Sequence, residues 1–93
     1  MGMQTDVKSA VATADGTMVS YRTRLKAVVL TSTSTAGSVV FKDGGASGTT
    51  LLTLNTPAAA DFHNILIPGE GILFESSIYV DVADVSSVTV FYG

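Results

Sequence analysis

Residues Gly37–Leu54 read G-S-V-V-F-K-D-G-G-A-S-G-T-T-L-L-T-L, and no other stretch limits the fold of this chain as strongly. Two runs of β-branched and large apolar residues, Val39–Phe41 and Leu51–Leu54, flank a tip of Asp43, Gly44, Gly45, Ala46, Ser47 and Gly48. Glycine accepts the positive φ angles that a reversing chain needs, and Asp and Ser bond their own backbone at such points. No helical period fits the stretch, so a strand, a glycine tip and a returning strand are expected.

The rest of the chain repeats the habit. Gln4–Thr13 alternates loosely around Val7 and Val11, and Ala14-Asp15-Gly16 is a turn of the D-G type before the short run Thr17–Tyr21. Arg22–Thr31 has the clearest alternation. Thr23, Leu25, Ala27, Val29 and Thr31 fall on one face, which suits a core, and Arg22, Arg24, Lys26, Val28 and Leu30 fall on the other. That second face begins cationic and ends apolar. Pro57 stops the second hairpin strand, since proline cannot donate to a ladder. Phe62–Ile67, Ile72–Phe74, Ile78–Ala83 and Val88–Tyr92 read as further strands, with turns at Pro68–Gly71 and Asp84–Ser87.

Seven or eight short strands at spacings near ten residues are the pattern of an all-β chain, an antiparallel β-sandwich or jelly-roll-like fold. Parallel βαβ units would need helices for which there is no length. The expected core is Leu25, Ala27, Val29, Val39, Phe41, Leu52, Leu54, Ile78, Val80 and Val82, each on the more apolar face of a period-2 run. With 93 residues the chain suits one domain over 3–93, with Met1-Gly2 ahead of Met3 read as a cloning remnant.

Composition narrows function more than fold. The chain has no cysteine, so neither a disulfide framework nor a thiolate metal site is expected. A net charge of −3 argues against a general nucleic-acid binder, whose affinity depends on neutralising phosphates. The longest aliphatic run, Ala27–Leu30, is too short for a membrane helix or a signal-peptide core. Charged residues are only 14% of the chain, against about 25% in an average soluble domain. Much of the surface is then neutral or apolar, as it is where other chains make contact.

Candidate chemistry is sparse. The glycines of Gly44–Gly48 lack the Lys-Ser/Thr and helix of a phosphate loop, which leaves a hairpin tip. His63 is the one histidine, with Asp61 two residues away on the same strand face, and a pair is not a zinc site. No nucleophile elbow surrounds any Ser or Thr. Glu70 with Glu75, and Asp81 with Asp84, read as solvated turn acids rather than a glycosidase pair or a calcium site. No catalytic residue, cofactor site or metal site is therefore expected. Arg22, Arg24 and Lys26, three of the five basic residues, would stand in a row along a strand, each roughly 7 Å from the next. They are either guards of an edge strand or a stripe that docks on a partner.

The succession R-x-R-L-K (Arg22–Lys26), V-V-F-K-D-G-G-A-S-G-T-T-L-L-T-L (Val39–Leu54), I-P-G-E-G-I-L-F (Ile67–Phe74), I-Y-V-D-V (Ile78–Val82) and V-T-V-F-Y (Val88–Tyr92) resembles small virion-associated proteins of tailed bacteriophages. The resemblance covers about three-quarters of the chain and carries no catalytic residues with it. It implies a β-sandwich on the outer surface of the particle, either a capsid cement or decoration protein or a part of the tail or fibre apparatus. A cement protein implies a homo-oligomer, with a trimer favoured, docked on the major capsid protein. Arg22, Arg24 and Lys26 are then candidates for docking, and Val28 and Leu30 for the contact between copies. A tail module would instead bind a receptor or carbohydrate through aromatics drawn from Tyr21, Phe62, Tyr79, Phe91 and Tyr92.

Overall fold

The computed structural model describes residues 8–67, 69 and 71–93; the expected start of the first strand at Gln4 and the turn residues Pro68 and Glu70 lie outside these. The described residues form nine strands: β1 (Lys8–Ala12), β2 (Gly16–Val19), β3 (Thr23–Ser32), β4 (Gly37–Asp43), β5 (Thr49–Thr56), β6 (Phe62–Leu66), β7 (Ile72–Phe74), β8 (Ile78–Ala83) and β9 (Val85–Tyr92). All pairings are antiparallel. They build two sheets: one of order β1-β9-β3-β6, with β7 also paired to β3, and one of order β2-β8-β4-β5.

The hairpin β4–β5 forms where Gly37–Leu54 places it. Gly44 and Gly45 take φ of 102° and 99°, and Gly48 N–H closes the tip by donating to the Gly45 carbonyl at 2.9 Å. Val39 and Phe41 turn inward from β4 and are fully buried. Leu52 and Leu54, opposite Phe41 and Val39, cover the rim of the same core. From the five-stranded sheet come Leu25, Val28, Leu30, Phe74, Val88 and Val90, and from the four-stranded sheet Val19, Val39, Phe41, Ile78 and Val80. Two sheets packed on one shared apolar layer make this a β-sandwich.

The expected core needs correction along β3. Leu25 is buried, but so are Val28 and Leu30, at 0% and 2% exposure, while Ala27 and Val29 are only half-buried. The cause is a β-bulge. Leu25 lies opposite Tyr92 of β9 and Ala27 opposite the next residue, Phe91, which leaves Lys26 as an extra residue on β3. One inserted residue exchanges the two faces of every residue beyond it. Arg24 and Lys26 therefore point out on one side of the bulge and Ala27, Val29 and Thr31 on the other, while Val28 and Leu30 turn into their own core. They are not available as a contact between copies.

The bulge sits where β3 changes partner on its other flank. Thr23–Leu25 pair with β7, and Ala27–Thr31 pair with β6. Ile67 N–H donates to the Lys26 carbonyl at 3.1 Å, and Gly71 packs so close to the Leu25 carbonyl that a Cβ there would overlap it. A second correction concerns Asp84–Ser87. Asp84, at φ 55°, makes the reversal, and β9 begins at once with Val85.

Leu30→Ala is expected to lower the unfolding free energy by about 2–5 kcal/mol, the usual cost of a cavity in a packed core. Val29→Thr, one residue away on the other face, is expected to cost under about 1 kcal/mol. Urea titration of the two variants checks the exchange of faces, and the reverse order would place the bulge wrongly.

Candidate functional site

The most distinctive surface is the outer face of the five-stranded sheet. Residues directly opposite on neighbouring antiparallel strands share a face, so the register assigns its rows. One row runs Ser9, Phe91, Ala27, Leu66, the next Val11, Thr89, Val29, Asn64, and a third Ser87, Thr31, Phe62. None of these residues carries a charge. Val11, Phe62 and Leu66 are 67%, 68% and 77% exposed, which makes them the three most exposed large apolar side chains among the described residues. An antiparallel sheet with one face on a core commonly presents polar residues on the other. Here the outward positions are Val, Phe, Leu, Ala, Ser, Thr and Asn.

The other outer face follows the usual rule. On the four-stranded sheet the rows are Asn55, Ser38, Ala83, then Thr53, Val40, Asp81, then Thr50, Lys42, Tyr79. Lys42 Nζ lies 3.7 Å from Asp81 Oδ2 across that face and also donates to the Ala46 carbonyl at 3.1 Å. The two sheets share a core but differ in what they show to solvent.

The basic residues reach only one end of the apolar face. Arg24 lies opposite Leu73 of β7, and Lys26 occupies the bulge. Arg22 does not belong to the row. It lies in the bend before β3 and is exposed, because the strand starts at Thr23. None of the three makes an ion pair among the described residues. The expected stripe is thus a pair on the strand, with Arg22 beside it.

His63 points inward from β6, opposite Leu30, and its Nε2 lies 3.4 Å from Ser32 Oγ. The Ser32 hydroxyl, 2% exposed, donates to the Ala59 carbonyl at 2.6 Å and accepts the Asp61 N–H at 3.2 Å. Asp61 Oδ1 in turn accepts the N–H of Phe62 at 2.8 Å. The three residue types of a hydrolase are thus neighbours, but the serine proton is committed to a backbone carbonyl and the oxygen is closed off from solvent. The group ties the loop before β6 to the end of β3, and period-2 alternation within one strand cannot reveal it because its members come from residues 32 and 59–63.

The acids divide in the same way. Asp43 Oδ1 and Oδ2 accept N–H groups of Ser76 and Glu75 at 2.9 and 3.0 Å, so the hairpin tip is fastened to the turn between β7 and β8. Those N–H groups, Ser76 first, hold the Asp43 carboxyl below its ordinary value. Asp15 Oδ1 accepts the Val82 N–H at 2.7 Å. An open depression lies between Thr13, Asp15, Thr33, Asp84 and Val85. No group of three metal-ligating side chains occurs among them. The aromatics disperse. Tyr21 meets Tyr92 edge-on with centroids 6.4 Å apart, Phe62 and Phe91 lie on the apolar face, and Tyr79 lies on the opposite sheet.

Because the folded-state pKa of Asp43 is depressed, its contribution is present above the unfolded value and is lost as pH falls through the folded one. Asp43→Ala is therefore expected to lower the thermal midpoint clearly at neutral pH and much less in acid, where the wild-type carboxyl is itself protonated. An equal drop at both pH values would contradict the carboxylate's role as acceptor.

Comparison with protein-family models, curated proteins and solved structures finds no match to this chain.

Proposed function

We propose that the protein is a non-catalytic structural component of a bacteriophage virion, of the capsid cement or decoration type, which docks through the outer face of its five-stranded sheet on the major capsid protein. The observation that carries this reading is the uncharged, apolar character of that face beside an ordinary polar face on the other sheet. The phage assignment itself comes from the sequence resemblance. Full burial of Val11, Phe62 and Leu66 contributes roughly 1.5–3 kcal/mol per side chain, whereas association costs about 4–15 kcal/mol. The face is thus strong enough to direct docking and too weak to hold it without flanking contacts. Arg24 and Lys26 at its end supply them against an acidic partner surface, and they speed encounter as well.

Self-association belongs to the same reading, with a trimer favoured by the resemblance. Its expected contact at Val28 and Leu30 lies in the core, so copies must meet elsewhere. A receptor- or carbohydrate-binding module of the tail is the alternative. It asks for aromatics gathered on one concave platform, and those of this chain are spread over two faces and one end.

The test is co-sedimentation with undecorated heads of the parent phage. Phe62→Glu with Leu66→Glu is expected to weaken binding at least about tenfold, equivalent to about 1.4 kcal/mol. Arg24→Glu with Lys26→Glu is expected to weaken it too and to reduce its salt dependence. Undiminished binding by the Phe62/Leu66 variant, or cryo-EM density for the chain on the tail, would overturn the proposal.

A further inference from the structure

Each sheet of an open sandwich ends in edge strands, whose outward N–H and C=O groups invite another strand unless something guards them. The guards on three of the flanks are plain. β1 has five residues and carries Lys8. β2 has four, with a register shift between Thr17 and Val19. β6 and β7 share one flank of β3 as two short pieces of five and three residues. β5 differs. It has eight residues, pairs with β4 on one side, and has no strand on its other side among the described residues. From Gly44 to Ala60 the sequence contains no charged residue at all, and no proline falls within the strand.

A bulge at Leu51, opposite the step from Phe41 to Lys42, bends the start of β5. Leu52–Thr56 then continue in regular register with β4. Leu52 and Leu54 face inward and stay half-exposed at the rim of the core, because no side chain lies beyond them. Thr53 and Asn55 face outward and are exposed.

We propose that two copies of the chain pair antiparallel through β5, about a twofold axis normal to the sheet, and so join two four-stranded sheets into one of eight strands. A second copy fits this edge better than an unrelated strand because the edge is complementary to itself. Under that axis inward residues meet inward residues, so the leucine rims of the two cores cover each other. Outward Thr and Asn meet Thr and Asn, which can exchange hydrogen bonds. Each copy is acidic overall, with a charge of −3, yet the paired segments bring no like charges together. Backbone groups of β5 that turn away from β4 gain ladder partners. The inference rests on the proposed function only in taking self-association as part of it, replaces the trimer that the resemblance favours by a twofold pair, and leaves the apolar face open for docking.

The chain as it stands, studied by light scattering on gel filtration, is expected to give twice the 9.6 kDa of one copy at micromolar concentration. Thr53→Lys with Asn55→Lys, and separately Thr53→Glu with Asn55→Glu, place like charges opposite one another when the pair is centred on the regular segment Leu52–Thr56, and are expected to give folded monomers. Mixing the two variants is expected to restore the doubled mass, a result that a merely unfolded variant could not give. A wild-type mass of one copy that does not rise with concentration would overturn the pairing. So would a doubled or tripled mass left unchanged by the lysine variant. Phe62→Glu with Leu66→Glu separates the two readings. If that variant, and not the lysine variant, dissolves the assembly, copies meet face to face and the edge pairing fails; if it keeps the doubled mass but no longer binds heads, both stand.

Discussion

One extra residue in β3 sets the arrangement of the rest. β3 is the strand against which β9 packs on one flank and β7 and β6 on the other, so an error of face there would spread to three neighbours. Without the bulge at Lys26, a strand that buries Leu25 would also bury Ala27 and Val29 and expose Val28 and Leu30. The inner layer would then exchange Val28 and Leu30 for the smaller pair Ala27 and Val29. With the bulge, Leu25 faces the core beside Ile72, and Val28 and Leu30 face it beside Ile65 and His63. The close approach of Gly71 and the bond from Ile67 N–H to the Lys26 carbonyl hold the two segments that make the change of partner.

The same exchange of faces determines what the outside of that sheet looks like. Ala27 and Val29 come out, next to Phe91, Thr89, Leu66 and Asn64. The exchange leaves the smaller pair outside, and the uncharged outer face they share with Phe62, Leu66 and Val11 is the feature that best separates this sandwich from one whose two outer faces are both polar. The low charge fraction of the chain has a location: it is concentrated on this face and along Gly44–Ala60, while Lys42 and Asp81 face solvent across the other sheet.

Local chemistry made most elements legible in the sequence. The glycine tip of β4–β5, the D-G turn before β2 and the alternation of β8 all gave strands close to their actual bounds. What escaped depends on partners rather than on neighbours in sequence. A bulge at Lys26 answers to β9, β7 and β6, none of which is visible from Arg22–Thr31. The sequence reads Asp84–Ser87 as a turn, yet Asp84 alone does the turning and Val85–Ser87 run in β9 beside Thr31 and Ser32. Of the docking candidates, Arg24 and Lys26 could be read from the alternation because they precede the change of face. Val28 and Leu30 could not, because they follow it. Phe62 and Leu66 read as strand residues in the sequence, but which face they take depends on pairing with Thr31 and Ala27.

The place of β9 also bears on the order in which the molecule can assemble. It lies between β1 and β3, so the earliest described strand and the long central one are joined only through residues 85–92. The hairpin β4–β5 can close as soon as it is made, from contacts a few residues apart. The five-stranded sheet cannot. During synthesis, at about 5–20 residues per second, β1 and β3 must wait several seconds with their apolar faces uncovered until β9 leaves the ribosome. Contacts so distant in sequence also make refolding slow by comparison with a helical protein of this size. A chaperone that shields β1 and β3 in that interval would raise the yield of folded protein without touching its final stability.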